Sequence, residues 1–421
     1  MDHGSSERRR SHLETRDLRR SANRMDSSMR RRIYLDHAAT RFPKPEIVLQ
    51  TMYEHAHSQE AAVGRGAYQA SQQASQILDS LRREIRLWID AATSDEISLQ
   101  SGGTEAINVG LLGLLRPGDH VVTTAAEHNS VLRPLKHLVD QQVIRWTVVP
   151  VGGDAVVDPD AVLAATNETT RLIAIVHAVN VNGAVQPVKT IGQSLAQRYA
   201  EASKPILFCD AAQSFGHLPL SVRELGIDVL ASPGHKGGQG PLGTGFLYLR
   251  QSLHDDIQPT RFGGTGGQSE SLHPPNEYPA KLEPGNRNVP AAAGWLAGLQ
   301  HAWQGQPSPQ QAVEQHAAIL GQLAQQLYAR LSEQPNLRVI GRPATPLLPV
   351  ASIAVDGLPA AEAAMILDGE FGIEVRSGLH CAALVHEAIG SPIDGTLRIS
   401  CGEETSASDL DALLDALAEL S

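Results

Sequence analysis

Residues 228–249, DVLASPGHKGGQGPLGTGFLYL, hold two short apolar runs, 228–232 and 245–249, around a polar, glycine-rich loop that carries His235 and Lys236. Each run reads as a buried strand. A lysine flanked by apolar strands and packed glycines can have its pKa lowered, and a neutral amine can condense with a carbonyl. A solvated loop lysine is the plain alternative. A nucleotide-binding P-loop is excluded, because no Gly-Lys-Ser/Thr follows a GxxxxG spacing here.

Just upstream, residues 205–215, PILFCDAAQSF, read as a strand with Asp210 at its carboxyl end. In open α/β sheets that edge is where ligands bind. A pyridoxal phosphate site needs a lysine for the aldehyde and a carboxylate that keeps the pyridinium nitrogen protonated. Asp210 and Lys236, on successive strands, could supply both. Taken alone, Asp210 reads equally as a turn or helix-cap residue.

Further runs at 97–99, 120–124, 146–151 and 172–177 alternate with helical patterns, which predicts a doubly wound, mainly parallel sheet with right-handed crossovers. Residues 61–88 read as one amphipathic helix, with Ile77, Leu81, Ile85 and Trp88 on its apolar face. The loop Gln100-Ser101-Gly102-Gly103-Thr104 opens a helix after a strand, an anion-binding arrangement. A capping box around Thr104 would look the same. Other strand ends carry Glu127-His128-Asn129 and HAVNVNG (177–183). His128 could lie flat on an aromatic ring, although a histidine at a strand end is more often structural.

From Pro290 the pattern changes: helices at 291–304 and 309–334, short strands at 351–355, 373–376 and 396–400, and a last helix at 408–420. The expected division is a tail at 1–32, a large domain at 33–290 whose first residues pack on the smaller one, and an α+β domain at 291–421. The smaller domain carries RSGLHCAALV (376–385). Cys381 there is either a small core residue or an accessible thiol in a polar loop, where positive charge favours thiolate. A metal site built on His380, Cys381 and His386 lacks a properly spaced fourth ligand. Arg398 could fork onto a carboxylate, or form a surface ion pair.

The 421 residues carry a net charge of −11, which argues against nucleic acid as a partner. No apolar run approaches the length of a membrane span. Three cysteines, Cys209, Cys381 and Cys401, at unrelated spacings make no disulfide framework and fit a reducing compartment, the cytoplasm. The arginine-rich tail has no signal-peptide core, and disorder is expected there. Met25 or Met29 is the expected true start.

In order, YLDHAAT, SGGTEAIN, EHNS, NVNG, DAAQS, GHK and RSGLHC resemble the fold-type I pyridoxal phosphate enzymes of the class V aminotransferase group. They are most similar to the cysteine desulfurases, particularly group II and selenocysteine-lyase-like members. The resemblance runs from about Tyr34 to the C-terminus. It implies that Lys236 holds the cofactor aldehyde, Asp210 pairs with the ring nitrogen, Gln213 bonds the ring oxygen and His128 stacks on the ring. Gly103, Thr104, His235 and Ser232 would contact the phosphate, as would Thr265 from a neighbouring subunit of a homodimer. Asn180 and Arg398, with Arg376 beside them, would hold the substrate carboxylate, and Cys381 would take the sulfur as a persulfide. No metal is implied.

Two departures stand out. Pro233 replaces the hydroxyl residue usual three places before the lysine, leaving Ser232 one place earlier, and His37 occupies a position where Asn is usual. The implied reaction converts L-cysteine, or L-selenocysteine, to L-alanine and passes sulfur to an acceptor protein or small thiol, as in iron–sulfur cluster assembly. The alternatives on the same cofactor are selenocysteine lyase, C–S lyase and class V aminotransferase. A non-catalytic sulfur-trafficking scaffold is the reading from a different class.

Overall fold

In the computed structural model, which describes residues 31–58, 61–64, 66–264 and 271–420, the alternating apolar runs form one seven-stranded sheet. Its strands are β2 (Ile97–Gln100), β3 (His120–Thr124), β4 (Arg145–Val149), β5 (Thr170–Val176), β6 (Ile206–Asp210), β7 (Val229–Pro233) and β8 (Gly245–Leu249), in the order β2-β8-β7-β6-β5-β3-β4. The pairs from β7 through β4 are parallel, and β8 alone runs against both its neighbours. The expected doubly wound, mainly parallel sheet is therefore what the chain forms. The return of β8 is a consequence of the loop that carries Lys236, which turns the chain straight back beside β7.

Both faces of this sheet are covered, so its central strands β5, β6, β7 and β8 are mostly apolar along their length rather than alternating. Period two still decides which face each residue serves. Ile173, Ile175, Leu207, Cys209 and Leu230 pack with α2 (Gln69–Trp88), α6 (Val188–Arg198) and α7 (Val289–Ala302). Their neighbours Leu172, Ala174, Ile206, Phe208 and Val229 pack with α3 (Gly103–Leu114) and α4 (Asn129–Asp140). The remaining helices are α1 (Glu46–Ser58) and α5 (Pro159–Ala164) on this sheet's side, then α8 (Pro309–Ser332), α9 (Ala360–Ile366), α10 (Val385–Ala388) and α11 (Ala407–Ala418).

A second, antiparallel sheet holds β12 (Arg376–Gly378), β13 (Thr396–Ser400), β10 (Val350–Val355) and β9 (Leu337–Ile340) in that order. Its core joins Ile353, Leu397 and Ile399 to Leu327 and Leu331 of α8 and to Leu410 and Leu413 of α11. Leu35 is buried in the same core, and β1 (Ile33–Tyr34) pairs with β11 (Ile373–Glu374). The first described residues thus belong, by packing, with the last hundred.

Two expectations from sequence need correction. The helix expected over 61–88 begins only at Gln69: Tyr68 is extended, and Gly64 sits at φ +68°, which no right-handed helix continues. The boundary expected at 290 does not coincide with a break in packing. Ala292, Trp295 and Leu299 of α7 are buried in the core of the large sheet, and it is α8 that leads into the second one. The tail, including Met25 and Met29, lies outside the described residues apart from Arg31 and Arg32.

Trp295 supports the lysine loop from below. Its side chain is fully buried, and its indole N–H donates to the carbonyl of Gly238 at 2.9 Å. Replacing it empties the floor under residues 234–240. Trp295→Ala is expected to lower unfolding stability by about 3–5 kcal/mol, read from urea denaturation midpoints. A loss under 1 kcal/mol would mean that the loop stands without this support.

Candidate active site

The carboxyl ends of the parallel strands open onto one cavity, lined by Gly103, Thr104, Ile107, His128, Ser130, Val176, Ala178, Asn180, Asp210, Ala212, Gln213, Pro233, His235 and Lys236. Asp210 and Pro233 close β6 and β7, and Val176 closes β5. The topology itself therefore aims these residues at one point, the usual ligand position in such sheets.

Lys236 follows β7 on a loop in which close packing demands glycine. A Cβ on Gly237 would lie 2.3 Å from the carbonyl oxygen of Phe215, and one on Gly245 would lie 2.6 Å from the backbone of Gly102. Burial pushes the Lys236 amine down to about 8, against the pull of Asp210; the charges of Arg398 and Arg376 add to the fall. Burial raises the pKa of Asp210, which is opposed by an N–H bond from Ala212 at 2.9 Å and by the Lys236 charge. Each group is costly to bury alone and less so beside the other.

At one end of the cavity two helices begin side by side. Gly102 caps α3 and His128 caps α4, so both N-termini point inward. Thr104 therefore lies inside the first turn of α3 rather than at its cap, and its hydroxyl meets that of Ser130 at 2.8 Å. A Cβ on Gly103 would lie 2.8 Å from the ring of Pro233, so that approach needs glycine. Free N–H groups, two helix dipoles and two hydroxyls suit a phosphate. Ser130 was not singled out from sequence, although it stands in the EHNS motif.

The His128 ring is anchored through Nδ1 by the N–H of Ser130 at 3.0 Å, and burial together with the Lys236 and Arg376 charges pushes it down to about 4. His235 is held near 4 by burial and by Lys236, with its Nδ1 3.1 Å from Thr40 Oγ1. Gln213 is buried and donates to the carbonyl of Ala38 at 2.9 Å.

Ser232 is not where sequence places it. Its buried hydroxyl donates to the carbonyls of Ala211 and Pro233, at 3.3 and 3.2 Å, and it does not line the cavity. The strand's period two turns residue 232 away and leaves Pro233 facing in. Thr265 lies outside the described residues.

The second sheet brings Cys381 and two arginines to the same region. Cys381 is exposed, and a guanidinium nitrogen of Arg376 stands 3.3 Å from its sulfur. The loop is tied to the large sheet's side by two bonds, Asn129 N–H to the Cys381 carbonyl and Asn180 Nδ2 to the His380 carbonyl, both at 2.7 Å. Arg398 is fully buried, donating to Asp36 Oδ1 at 2.6 Å and to the Asn180 carbonyl at 3.0 Å, while its Nε has no partner among the described residues. Asp36 was not singled out from sequence. His37 is buried, and burial with the Arg41 charge pushes it down to about 4.

The class-V aminotransferase model matches residues 33–413. The chain belongs to the class-V aminotransferase family. Within it the chain falls among the cysteine desulfurases. It is 34% identical over 414 residues to a probable cysteine desulfurase of Methanothermobacter thermautotrophicus, covering 97% of this chain and 98% of that one. Among solved structures it is similar to an apo cysteine desulfurase from Thermococcus onnurineus, with TM-score 0.82 and 30% identity over 92% of this chain and 94% of that one. It is also similar to an Escherichia coli cysteine desulfurase in an S-sulfonic acid form, with TM-score 0.79 and 26% identity over 92% and 95% of the two chains. This family of enzymes has the fold found here, and the α/β reading from sequence agrees with it.

Histidines crowd the site and its supports. His37, His128, His177 and His235 are held near 4 and His217 near 3, by burial first in every case. An unfolded histidine takes up its proton near pH 6.5. On acidification the unfolded chain binds protons first, so stability present above pH 6.5 is lost progressively toward pH 4. Glu127 and Asp210, whose pKa values are raised, oppose this with one proton each and are outnumbered. Urea midpoints of the protein should therefore fall between pH 7 and 5. His177→Gln should flatten that slope by up to about 1.4 kcal/mol per pH unit. A midpoint that rises toward pH 5 would contradict the assignment.

Proposed function

We propose that this chain is a pyridoxal-phosphate-dependent cysteine desulfurase that takes sulfur from L-cysteine onto Cys381 as a persulfide and leaves L-alanine. The observation that carries the reading is an exposed thiol beside the Arg376 guanidinium, on a loop bonded through Asn129 and Asn180 to the walls of a cavity that holds Lys236 and Asp210.

The cavity's donor set fits the cofactor. Lys236 would hold the aldehyde and Asp210 would meet the ring nitrogen. The α3 and α4 N-termini, with Gly103, Thr104, Ser130 and His235, would take the phosphate. His128 would stack on the ring, and Gln213 would reach its oxygen by sharing the amide that now bonds Ala38. When bound, the cofactor supplies an electron sink that makes the substrate Cα proton labile.

The chain's own residues do the rest. Lys236, with its amine near 8, is poised to take the Cα proton and return it. Arg398 and Arg376 supply cationic character for the substrate carboxylate, Asn180 lines the way in, and Asp36 holds Arg398 in place meanwhile. An Arg376 guanidinium nitrogen stands beside the Cys381 sulfur, which would react as its thiolate. That thiolate attacks the substrate Sγ: an S–S bond forms as the Cβ–Sγ bond breaks, and a proton delivered to Cβ completes alanine.

The persulfide then passes to an acceptor protein or small thiol, with iron–sulfur cluster assembly as one use. Exposed Leu379 and Leu384 flank the thiol and offer apolar contact to an acceptor. Exposed Phe42, Tyr53, Tyr68, Leu242 and Phe262 offer surface to a second copy of the chain, and a homodimer would let Thr265 of the neighbour reach the phosphate. Among the described residues no helix is long and apolar enough to cross a membrane, and a cytoplasmic location is proposed. L-Selenocysteine would use the same groups.

Cys381→Ala is expected to keep the visible cofactor band and to lose sulfide and alanine release from L-cysteine by about 100-fold or more. Lys236→Ala should lose both the band's normal position and the reaction. If Cys381→Ala still releases alanine and sulfide at the wild-type rate, the thiol is structural. A C–S lyase, selenocysteine lyase or aminotransferase would then be the better reading.

A further inference from the structure

Glu127 has no part in the steps above, yet it lies directly behind them. Its side chain has no exposed surface. Both donors that reach its carboxyl reach the same oxygen: Thr124 Oγ1 donates to Oε1 at 2.7 Å, and the N–H of Val176 donates to it at 3.0 Å. Oε2 is buried and has no partner among the described residues. Val176 stands opposite Asp210 in the β5–β6 ladder, so the two carboxyl groups share one end of the sheet.

This geometry decides the charge. A buried carboxylate with one oxygen bare is far more costly than a neutral acid whose hydroxyl lacks a partner. A second negative charge beside Asp210 would add repulsion in a medium that screens poorly. The groups around it offer no relief. Asp210 acts on it from β6 and would repel its charge, while the neutral, buried thiol of Cys209 on the same strand offers no charge to pair with it. His177, just after β5, is buried and neutral, and its own Nδ1 has no partner among the described residues. His128, next in the chain, is likewise held neutral. The cations of the region, Lys236, Arg376 and Arg398, act on Asp210, His128 and each other, and among the described residues none forms an ion pair with Glu127.

We propose that Glu127 is a positioning residue that works as a neutral acid, bracing the ends of β3 and β5 behind the pocket and leaving Asp210 as the one negative charge among the described lining residues, opposite the ring nitrogen. The last clause rests on the cofactor reading above; the neutral state of Glu127 does not. Burial raises its pKa to about 8, and Asp210 adds to the rise. The proton therefore leaves on the alkaline side, where a second charge appears behind Asp210 and disturbs the pocket.

Two measurements test this. In the cofactor-loaded protein, the visible band and bound cofactor are followed from about pH 6 to pH 10 in wild type and Glu127→Gln. The amide is isosteric and permanently neutral, so the variant should match wild type at pH 7 and lack the wild-type change centred near pH 8. A variant that loses cofactor or shifts its band at pH 7 would mean that the charge is needed, and identical titrations would mean that Glu127 does not titrate there. Either result overturns the proposal.

The second measurement needs no variant and no cofactor. Glutamate side chains carrying a carbon-13 label at the carboxyl are titrated by NMR in the cofactor-free wild type. One resonance should move with a midpoint near pH 8, and all glutamates titrating below about pH 6 would overturn the neutral acid. If the protein instead fails to bind pyridoxal phosphate at all, the proposed function fails, while this titration still reads Glu127.

Discussion

Two opposite charges that face one cavity at the end of a buried sheet, Lys236 and Asp210, are the constraint around which the molecule is arranged. Neither is tolerable alone in that position: burial pushes the amine down and the carboxyl up, and each offsets part of the other's cost. What holds them there is mostly apolar. The strands carrying them are covered on both faces, and Trp295 braces the lysine loop through the carbonyl of Gly238. Glycines let that loop pass against Phe215 without room for a single extra carbon. The result is reactive polarity on a rigid mount, which catalysis by preorganised groups requires.

The second sheet supplies a different kind of part. Cys381 and His380 both take left-handed backbone angles, φ +59° and +49°, which are uncommon outside glycine. The loop is held in that state by its ties to Asn129 and Asn180, and by His380 to Thr396 and His386 to the Leu379 carbonyl, both at 2.9 Å. Strain of this sort persists where surrounding bonds over-determine it, commonly at functional sites. A thiol mounted this way stays near the cavity wall and exposed, beside the Arg376 guanidinium. Leu35 in the core of the second sheet, with the Asp36–Arg398 bond, runs the start of the described chain between the two sheets, so the arginine is set by a residue more than 350 positions away.

Much of this was legible in the chain. Strand runs broken by helical periods gave the mainly parallel sheet, because the central strands of a sheet covered on both faces are mostly apolar along their length. Glycines around Lys236 and Asp210 at a strand end pointed to one rim of the sheet, where both residues line one cavity. Other features were hidden for physical reasons. The hydroxyl of Ser232 faces backbone carbonyls because the pleat turns it away, and one residue of register cannot be read from composition. Glycine at a left-handed angle stopped the helix expected from residue 61, where the apolar pattern alone ran on. Glu127 looked like an ordinary polar residue beside a histidine, since nothing in its sequence neighbours reveals that one carboxylate oxygen has no partner among the described residues.

The amino-acid sequence by itself determined the alternation of elements and the edge of the sheet where polar residues collect, both of which depend on local residue type and short-range period. Only the tertiary structure decided that α7 belongs to the large sheet, that Asp36 holds Arg398, that two helix N-termini meet at one end of the cavity, and that Glu127 lies behind Asp210. These depend on which surfaces are buried together and on where each buried polar atom finds a partner, a condition that applies to the whole folded chain at once and leaves no trace in any single stretch.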